Sequence, residues 1–314
     1  MEIYLHHYPA SLFSEKIRLL LGYLGGSWHS VEIPSIMPRP LLMPLSGGYR
    51  RTPVLQIGAN VYCDTAVIAR GLARHFGDED LFAAGFTANR VAEWADTQLF
   101  RVTVALNFRP EAVGGFMSQL SPEEIAAFQK DRAELVGDAP MVSFSPEAAQ
   151  AYLATYLDQA DRALDGGFLF GGKPCIADFC FYHCLWFLEN NPLNAPLLDA
   201  YGNVRGWMQT MAGFGHGSVA PSSGEAALEH ARSCSPVAPV LESPLAAPFE
   251  LDVGRRVTVT PADYGRVPVA GSLVAWDCEE VVILREDAAT GPIMNHFPMA
   301  GFQVAPAGNL GSSG

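Results

Sequence analysis

The stretch Tyr8-Pro-Ala-Ser11-Leu-Phe-Ser14-Glu-Lys16-Ile-Arg18 constrains this chain most, because of what flanks it. Apolar Ile3-Tyr-Leu5 runs just before it. Ile17, Leu20, Leu21 and Leu24 follow at helical spacing until Gly25-Gly26 stops them. The pattern predicts a strand, a turn and a helix, with Ser11 in the turn. Unpaired N–H groups and the helix dipole gather at such a start and favour an anion by about 0.3–1 kcal/mol. A serine hydroxyl there either caps the helix or donates a hydrogen bond to a thiolate held against it.

With 314 residues, 49% of them apolar, the chain suits two or three units with a sizeable core. A formal charge of −13 argues against nucleic acid and polybasic membrane contacts, although one local arginine cluster suffices for an anionic ligand. The most apolar run, 179–188, is ten residues, well short of the roughly 18 that suggest a membrane span. A strand expected from residue 2 leaves no room for a secretory signal. Six cysteines (63, 175, 180, 184, 234, 278) without Cys-x-x-Cys spacing indicate a reduced, cytoplasmic chain. Cys180, His183 and Cys184 share a helix face, but their large apolar neighbours and the lack of a second ligand pair assign them to core, and no metal is expected.

In chain order, residues 1–80 read as βαβ followed by ββα. Prolines 34, 38, 40 and 44 stiffen the connection after the second strand and forbid helix there. Pro53 heads a strand to Ile57, a turn at 58–60 leads to a strand at 61–63, and Asp64-Thr65 opens a helix to about Phe76. From 81 the pattern is helical, with one long helix over 87–106 and others over 121–136, 146–164, 201–211 and 225–234. Four prolines in residues 235–248 indicate an extended linker. The period then changes to that of strands at 256–260, 271–276 and 280–284, with short ones at 295–298 and 301–304. That unit, 249–306, is near the lower size limit for independent stability and is expected to pack on the helical unit. His296 reads as a turn or strand residue rather than a catalyst. Residues 307–314 read as a flexible tail.

Several of these pieces carry a resemblance. Ser11-x-x-Ser14-x-Lys16-Ile17-Arg18 resembles the start of the first helix in glutathione transferases of the serine and cysteine types. It also occupies the place of the glutaredoxin Cys-x-x-Cys turn. Both cysteines are serine here, so dithiol–disulfide exchange has neither nucleophile nor resolving thiol. Thr52-Pro53 matches the cis-proline position of thioredoxin-fold proteins. Asp64-Thr65 matches the acidic-then-hydroxyl pair that holds the γ-glutamyl end of glutathione in the family. Cys175-Ile-Ala-Asp178 is similar to the capping box of the family's central buried helix, with cysteine in place of the hydroxyl residue. The long proline-rich loop, and Thr52 where Val or Ile is usual, depart from the family pattern.

The resemblance covers residues 1–215. It implies an α/β plus all-α chain: a thioredoxin-like glutathione-binding domain at 1–80 and a helical-bundle domain at 81–234. The 235–248 linker, the small mostly-β unit at 249–306 and the tail at 307–314 then follow. It further implies a cytoplasmic homodimer with glutathione as co-substrate and a small apolar electrophile as acceptor. Ser11 would be catalytic, and Arg51, Thr52, Pro53, Asp64 and Thr65 would bind glutathione. Asp64 reads equally as an N-cap worth about 1 kcal/mol, and Arg50 or Arg51 as a partner of the glycyl carboxylate or a solvated loop charge. The acceptor would lie on the 87–106 helix, where Trp94 and Phe100 line its pocket or belong to the core. The competing reading is a non-catalytic glutathione-transferase-like binding or assembly module acting through the β unit.

Overall fold

Alternation along the first strand selects two faces. In β1 (Ile3–His7), Ile3 and Leu5 enter the apolar cluster that holds the helices, while Tyr4 enters a second cluster on the opposite side. The computed structural model describes residues 1–78, 80–116, 120–139, 143–165, 167–241 and 252–307. The expected linker from 242 onward and the expected tail from 308 onward lie outside these residues.

After β1 come α1 (Leu12–Tyr23), β2 (Ser27–Glu32), α2 (Met43–Ser46), β3 (Val54–Ile57), β4 (Asn60–Cys63) and α3 (Thr65–Phe76). β2 is parallel to β1, β3 antiparallel to β1, and β4 antiparallel to β3. This is the expected βαβ-ββα order with one correction. The proline-rich connection does contain a helical turn, α2, because Pro44 sits in its first turn, where a missing N–H leaves no bond unmade. Buried Arg39 ties that connection together by donating to the carbonyls of Pro34, Ser35 and Arg50 and to Thr52 Oγ1.

The helical unit comprises α4 (Gly85–Trp94), α5 (Phe100–Asn107), α6 (Pro110–Phe116), α7 (Pro122–Val136), α8 (Pro146–Ala163), α9 (Ile176–Glu189) and α10 (Gly202–Ala212), while α11 (Gly224–Ser233) packs into the second cluster through Ala227 and Ala231. The single helix expected over 87–106 is interrupted by a π-helical turn, Ala95–Leu99. Such a turn inserts one residue into the helical ladder and is frequent at functional sites. Here it carries Asp96 to α1. α9 runs through the core, and Asp178 at its start accepts from the N–H groups of Cys175 and Leu169, each at 2.9 Å, and from Trp207 Nε1 at 3.0 Å. The capping box therefore works through its acid.

The chain adds β5 (Ser218–Ser222), β6 (Arg256–Pro261), β7 (Val269–Trp276), β8 (Glu280–Asp287), β9 (Gly291–Pro298) and β10 (Phe302–Pro306). All the strands form one sheet, in the order β10-β6-β7-β8-β9-β4-β3-β1-β2-β5. β5 was not expected. Its sequence, Ser-Val-Ala-Pro-Ser, lacks apolar alternation, and its strand character comes from pairing with the open edge of β2. Pro221 is tolerated because β5 lies at the end of the sheet.

The C-terminal unit also differs from expectation. It extends the N-terminal sheet, with β9 parallel to β4 and Val61 opposite Asn295, instead of resting chiefly on the helices. An open β4 edge would leave a row of N–H and C=O groups unpaired, and β9 satisfies them. Contact with the helical unit does occur, through the Gly265 N–H on the Leu135 carbonyl at 2.7 Å. A buried polar clip completes the junction. Glu280, fully buried, accepts from His296 Nδ1 at 2.5 Å and from Arg74 of α3 at 2.6 Å, and His296 stacks on Tyr62 of β4 at 4.2 Å. Burial lowers the His296 pKa, keeping the ring neutral, with Nδ1–H as donor. Burial alone would raise the Glu280 carboxyl, but His296 and Arg74 outweigh it and hold it below its ordinary value.

Removing Glu280 leaves the buried Nδ1–H of His296 without an acceptor, at a cost of about 1–3 kcal/mol, while the half-exposed Arg74 keeps access to water. Glu280→Ala is therefore expected to lower unfolding free energy by about 2 kcal/mol in urea titrations. Arg90→Ala, which breaks an exposed i,i+3 pair with Glu93, is expected to change it by less than about 0.5 kcal/mol. Equal, small effects from both substitutions would show that the C-terminal unit is not held by this clip.

Candidate active site

Ser11 is the N-cap of α1. Its Oγ accepts from the Ser14 N–H at 3.2 Å, and the residue is only 4% exposed. An accepting hydroxyl keeps its own hydrogen to donate, so both sequence readings of Ser11 fit this geometry. The turn preceding it is held by buried Arg18, which donates to the carbonyls of Tyr8 (3.5 Å) and Pro9 (3.0 Å) and pairs with Glu15 at 2.7 Å. Arg18 also donates to His7 Nδ1 at 3.0 Å, leaving Nε2–H of His7 to bond Ser30 Oγ at 2.8 Å. Burial, reinforced by Arg18, lowers the His7 pKa to about 4 and fixes that neutral form.

Asp64 caps α3. Among the described residues it is the one non-glycine with a positive φ, 106°. Backbone strain of this kind costs on the order of 1–3 kcal/mol and clusters at functional sites. Its Oδ1 accepts from the Ala66 N–H at 3.0 Å, while Oδ2 meets the Tyr49 hydroxyl at 3.3 Å and Arg51 at 3.6 Å. Thr65 follows as the first residue of α3, and the Thr52–Pro53 bond is cis. Arg50 and Arg51 take different roles. Arg50 pairs with Asp131 of α7 at 2.9 Å. Arg51 bonds to Asp263 and to the Tyr264 carbonyl, with its guanidinium 4.0 Å from the centre of the Tyr264 ring.

Arg51, Thr52, Pro53, Asp64 and Thr65 converge on one cavity of about 250 Å³. Its other walls come from α4 and the π turn (Asn89 to Thr97) and from Asp263, Tyr264 and Phe302 of the C-terminal unit. α1 meets the cavity through Phe13 and Lys16, while Ser11 lies buried two residues before Phe13. Trp94 and Phe100 turn elsewhere: Trp94 packs on Tyr156 and Phe181, and Phe100 lies edge-on to Phe13.

Sequence reasoning missed the floor of this cavity. Lys16 is 1% exposed, and its Nζ lies 2.5 Å from Asp96 Oδ2 and 3.7 Å from Cys180 Sγ. Asp96 Oδ1 is 2.9 Å from His183 Nε2. Burial works against both charges, but the pairing prevails: Lys16 is pushed above its ordinary pKa, and Lys16 with His183 holds the Asp96 carboxyl down at about 2. Burial lowers His183 and raises Cys180. Cys180, His183 and Cys184 are thus core, as expected, yet they surround an ion pair rather than apolar groups alone. A lysine among the apolar positions of α1 was the available signal, but nothing near it in the chain names its partner 80 residues on.

The family model of the glutathione S-transferase N-terminal domain matches residues 5–80, and that of the C-terminal domain matches residues 127–210. A GST-like protein from Pseudomonas syringae is 39% identical, covers 98% of this chain and 100% of its own, and superposes with a TM-score of 0.82. The chain belongs to the glutathione S-transferase family. Its fold is accordingly a thioredoxin-like N-terminal domain and a helical C-terminal domain, with additional C-terminal strands. Solved glutathione S-transferases that resemble it less include transferase III in apo form (19% identity, 68% of this chain and 92% of that one, TM-score 0.49). Another is from Rhodospirillum rubrum F11 (16% identity, 67% and 87%, TM-score 0.49). A comparison with curated proteins gives no match.

The depressed Asp96 pKa carries a pH dependence. Its folded value, about 2, lies below the ordinary 3.9 or so of an unfolded chain, so the ionised form stabilises the fold. That contribution is complete above about pH 4 and is lost as pH falls toward 2. Asp96→Asn is expected to be less stable at pH 7 and to lack this component of acid destabilisation. Urea midpoints measured from pH 7 to pH 2 check it, and parallel curves for the two proteins would refute the assignment.

Proposed function

We propose that this protein is a glutathione-dependent transferase, conjugating a small electrophile with the glutathione thiolate or displacing a group from it. The observation that carries this reading is the strained Asp64 beside Thr65 at the start of α3, on the wall of a cavity that α1 also reaches. The γ-glutamyl carboxylate is suited to the Thr65 N–H and hydroxyl at a helix start, and the ammonium to Asp64. The thiol then lies toward the start of α1, where the Ser11 hydroxyl donates to sulfur. A free thiol with pKa about 8.5 is only a few per cent ionised at pH 7. One donated hydrogen bond and a helix N-terminus lower that by about one to two units, or about 1.4–2.7 kcal/mol in favour of the thiolate. The thiol proton passes to solvent, and the sulfur lone pair forms the S–C bond as the acceptor's leaving group departs or its π bond takes up the electron pair. Phe82 and Phe302 offer apolar wall to the acceptor. The homodimer and the cytoplasmic setting implied by the family resemblance belong to the same reading.

One observation favours the competing reading, a non-catalytic binding or assembly module: Asp263 already holds Arg51, a cation the resemblance assigns to glutathione. Calorimetric titration with glutathione separates the two. Saturable binding is expected at millimolar concentrations or below, and its absence would favour the module.

The two ends of the site are expected to fail differently. Ser11→Ala should cut kcat roughly 10–100-fold with little change in KM for glutathione. Asp64→Asn should raise KM about tenfold with kcat within about twofold. Steady-state kinetics with a generic aryl halide reads both. Full kcat in Ser11→Ala would reduce Ser11 to a helix cap.

A further inference from the structure

The cations on the cavity wall are already paired. Lys16 meets Asp96 at 2.5 Å and Arg70 meets Glu279 at 2.7 Å. Arg90 is bonded to Glu93, and Arg51 to Asp263 with Asp64 at 3.6 Å. Among the described lining residues, then, each of the four Lys and Arg side chains has an acid partner, and Asp64 makes a fifth carboxylate. The wall thus carries one carboxylate more than it has cations, and two of the acids that occupy its cations, Asp263 and Glu279, come from the C-terminal unit.

Glutathione carries one ammonium and two carboxylates. The proposed function has a receptor for the ammonium, Asp64, and one for the γ-glutamyl carboxylate, the start of α3. With Asp64 taken up by the ammonium, the lining acids and cations balance, so the second carboxylate, at the glycyl end, must either displace Asp263 from Arg51 or lie beside that pair with no cation of its own. Like-charge juxtaposition of this kind weakens binding. Arg51 is held on more than one side: Asp263 and the Tyr264 carbonyl bond it, and the Tyr264 ring stacks on it. Displacing Asp263 would therefore also disturb the segment that places Tyr264 on the cavity wall.

Building on the glutathione reading, we infer that this site selects γ-glutamyl thiols whose far carboxylate is masked as an amide or ester, and that Asp263 of the C-terminal unit is the residue that imposes the selection. A neutral terminus leaves the Arg51–Asp263 pair intact. The C-terminal strands would thus act as a specificity element carried to the site by the pairing of β9 with β4.

The test compares glutathione with its glycyl monoethyl ester by titration calorimetry on the full chain. The ester is expected to bind the wild type about tenfold more tightly than the free acid. In Asp263→Asn, which frees Arg51 for the glycyl carboxylate, the two affinities are expected to come within about twofold. Should that variant not fold, raising ionic strength toward 1 M on the wild type provides the second measurement, because it screens the repulsion over roughly 3 Å and narrows the preference. Free glutathione binding as tightly as the ester would overturn the selection and leave the glutathione reading intact. A preference unchanged in Asp263→Asn, or by salt, would remove Asp263 from the account. Saturable binding of neither compound would overturn both the selection and the reading beneath it.

Discussion

A lysine ammonium taken out of water costs several kcal/mol unless a carboxylate meets it at contact distance. Lys16 is 1% exposed, and Asp96 meets that demand from a different part of the chain. The requirement fixes the register of three elements at once. α1 must present Lys16 inward, the π turn must carry Asp96 to it, and α9 must bring His183 and Cys180 against the pair. Apolar packing between the sheet domain and the helical domain tolerates sliding in a way that a buried ion pair does not. The cavity inherits this precision, since Lys16 and Asp96 form part of its floor.

The second constraint is the edge of the sheet. A strand with an open row of backbone groups invites pairing, and both edges of the four-stranded N-terminal sheet are extended within the chain. β5 takes the β2 edge, and β9 takes the β4 edge, bringing the rest of the C-terminal unit with it. The buried Glu280, joined to His296 and to Arg74, holds that junction through charge and not by apolar area alone. Its consequence lies at the cavity, where Asp263 and Tyr264 reach Arg51. The site is therefore assembled from three parts of the fold, and the part that departs most from the family resemblance supplies two of its acids, Asp263 and Glu279.

The features legible beforehand were those whose signal is local. Ile3 to Leu5, the Ser11 turn and the periodic leucines lie within some twenty residues and specify strand, turn and helix directly. Asp64 before Thr65 and Asp178 three residues after Cys175 are helix-start signals for the same reason. Thr52-Pro53, Asp64-Thr65 and Arg51, named through the resemblance, lie around one cavity. Trp94 and Phe100 read as pocket or core alike, because an aromatic at helical spacing does not say which way its face turns; both pack against the core. Ser-Val-Ala-Pro-Ser at β5 gave no strand pattern, since its partner β2 lies some 190 residues earlier in the chain.

By itself, then, the amino-acid order determined the βαβ-ββα start, the helical middle, the strand-rich end and the helix starts at Ser11 and Asp64, because propensity, capping and periodicity act over a few residues. Tertiary structure alone decided that Lys16 is paired with Asp96, that β9 continues the sheet from β4, and that Asp263 occupies Arg51. Those contacts join residues 80, roughly 230 and 212 positions apart. No short-range rule relates such positions. They are brought together because each leaves a charge or an edge that only the folded chain can satisfy.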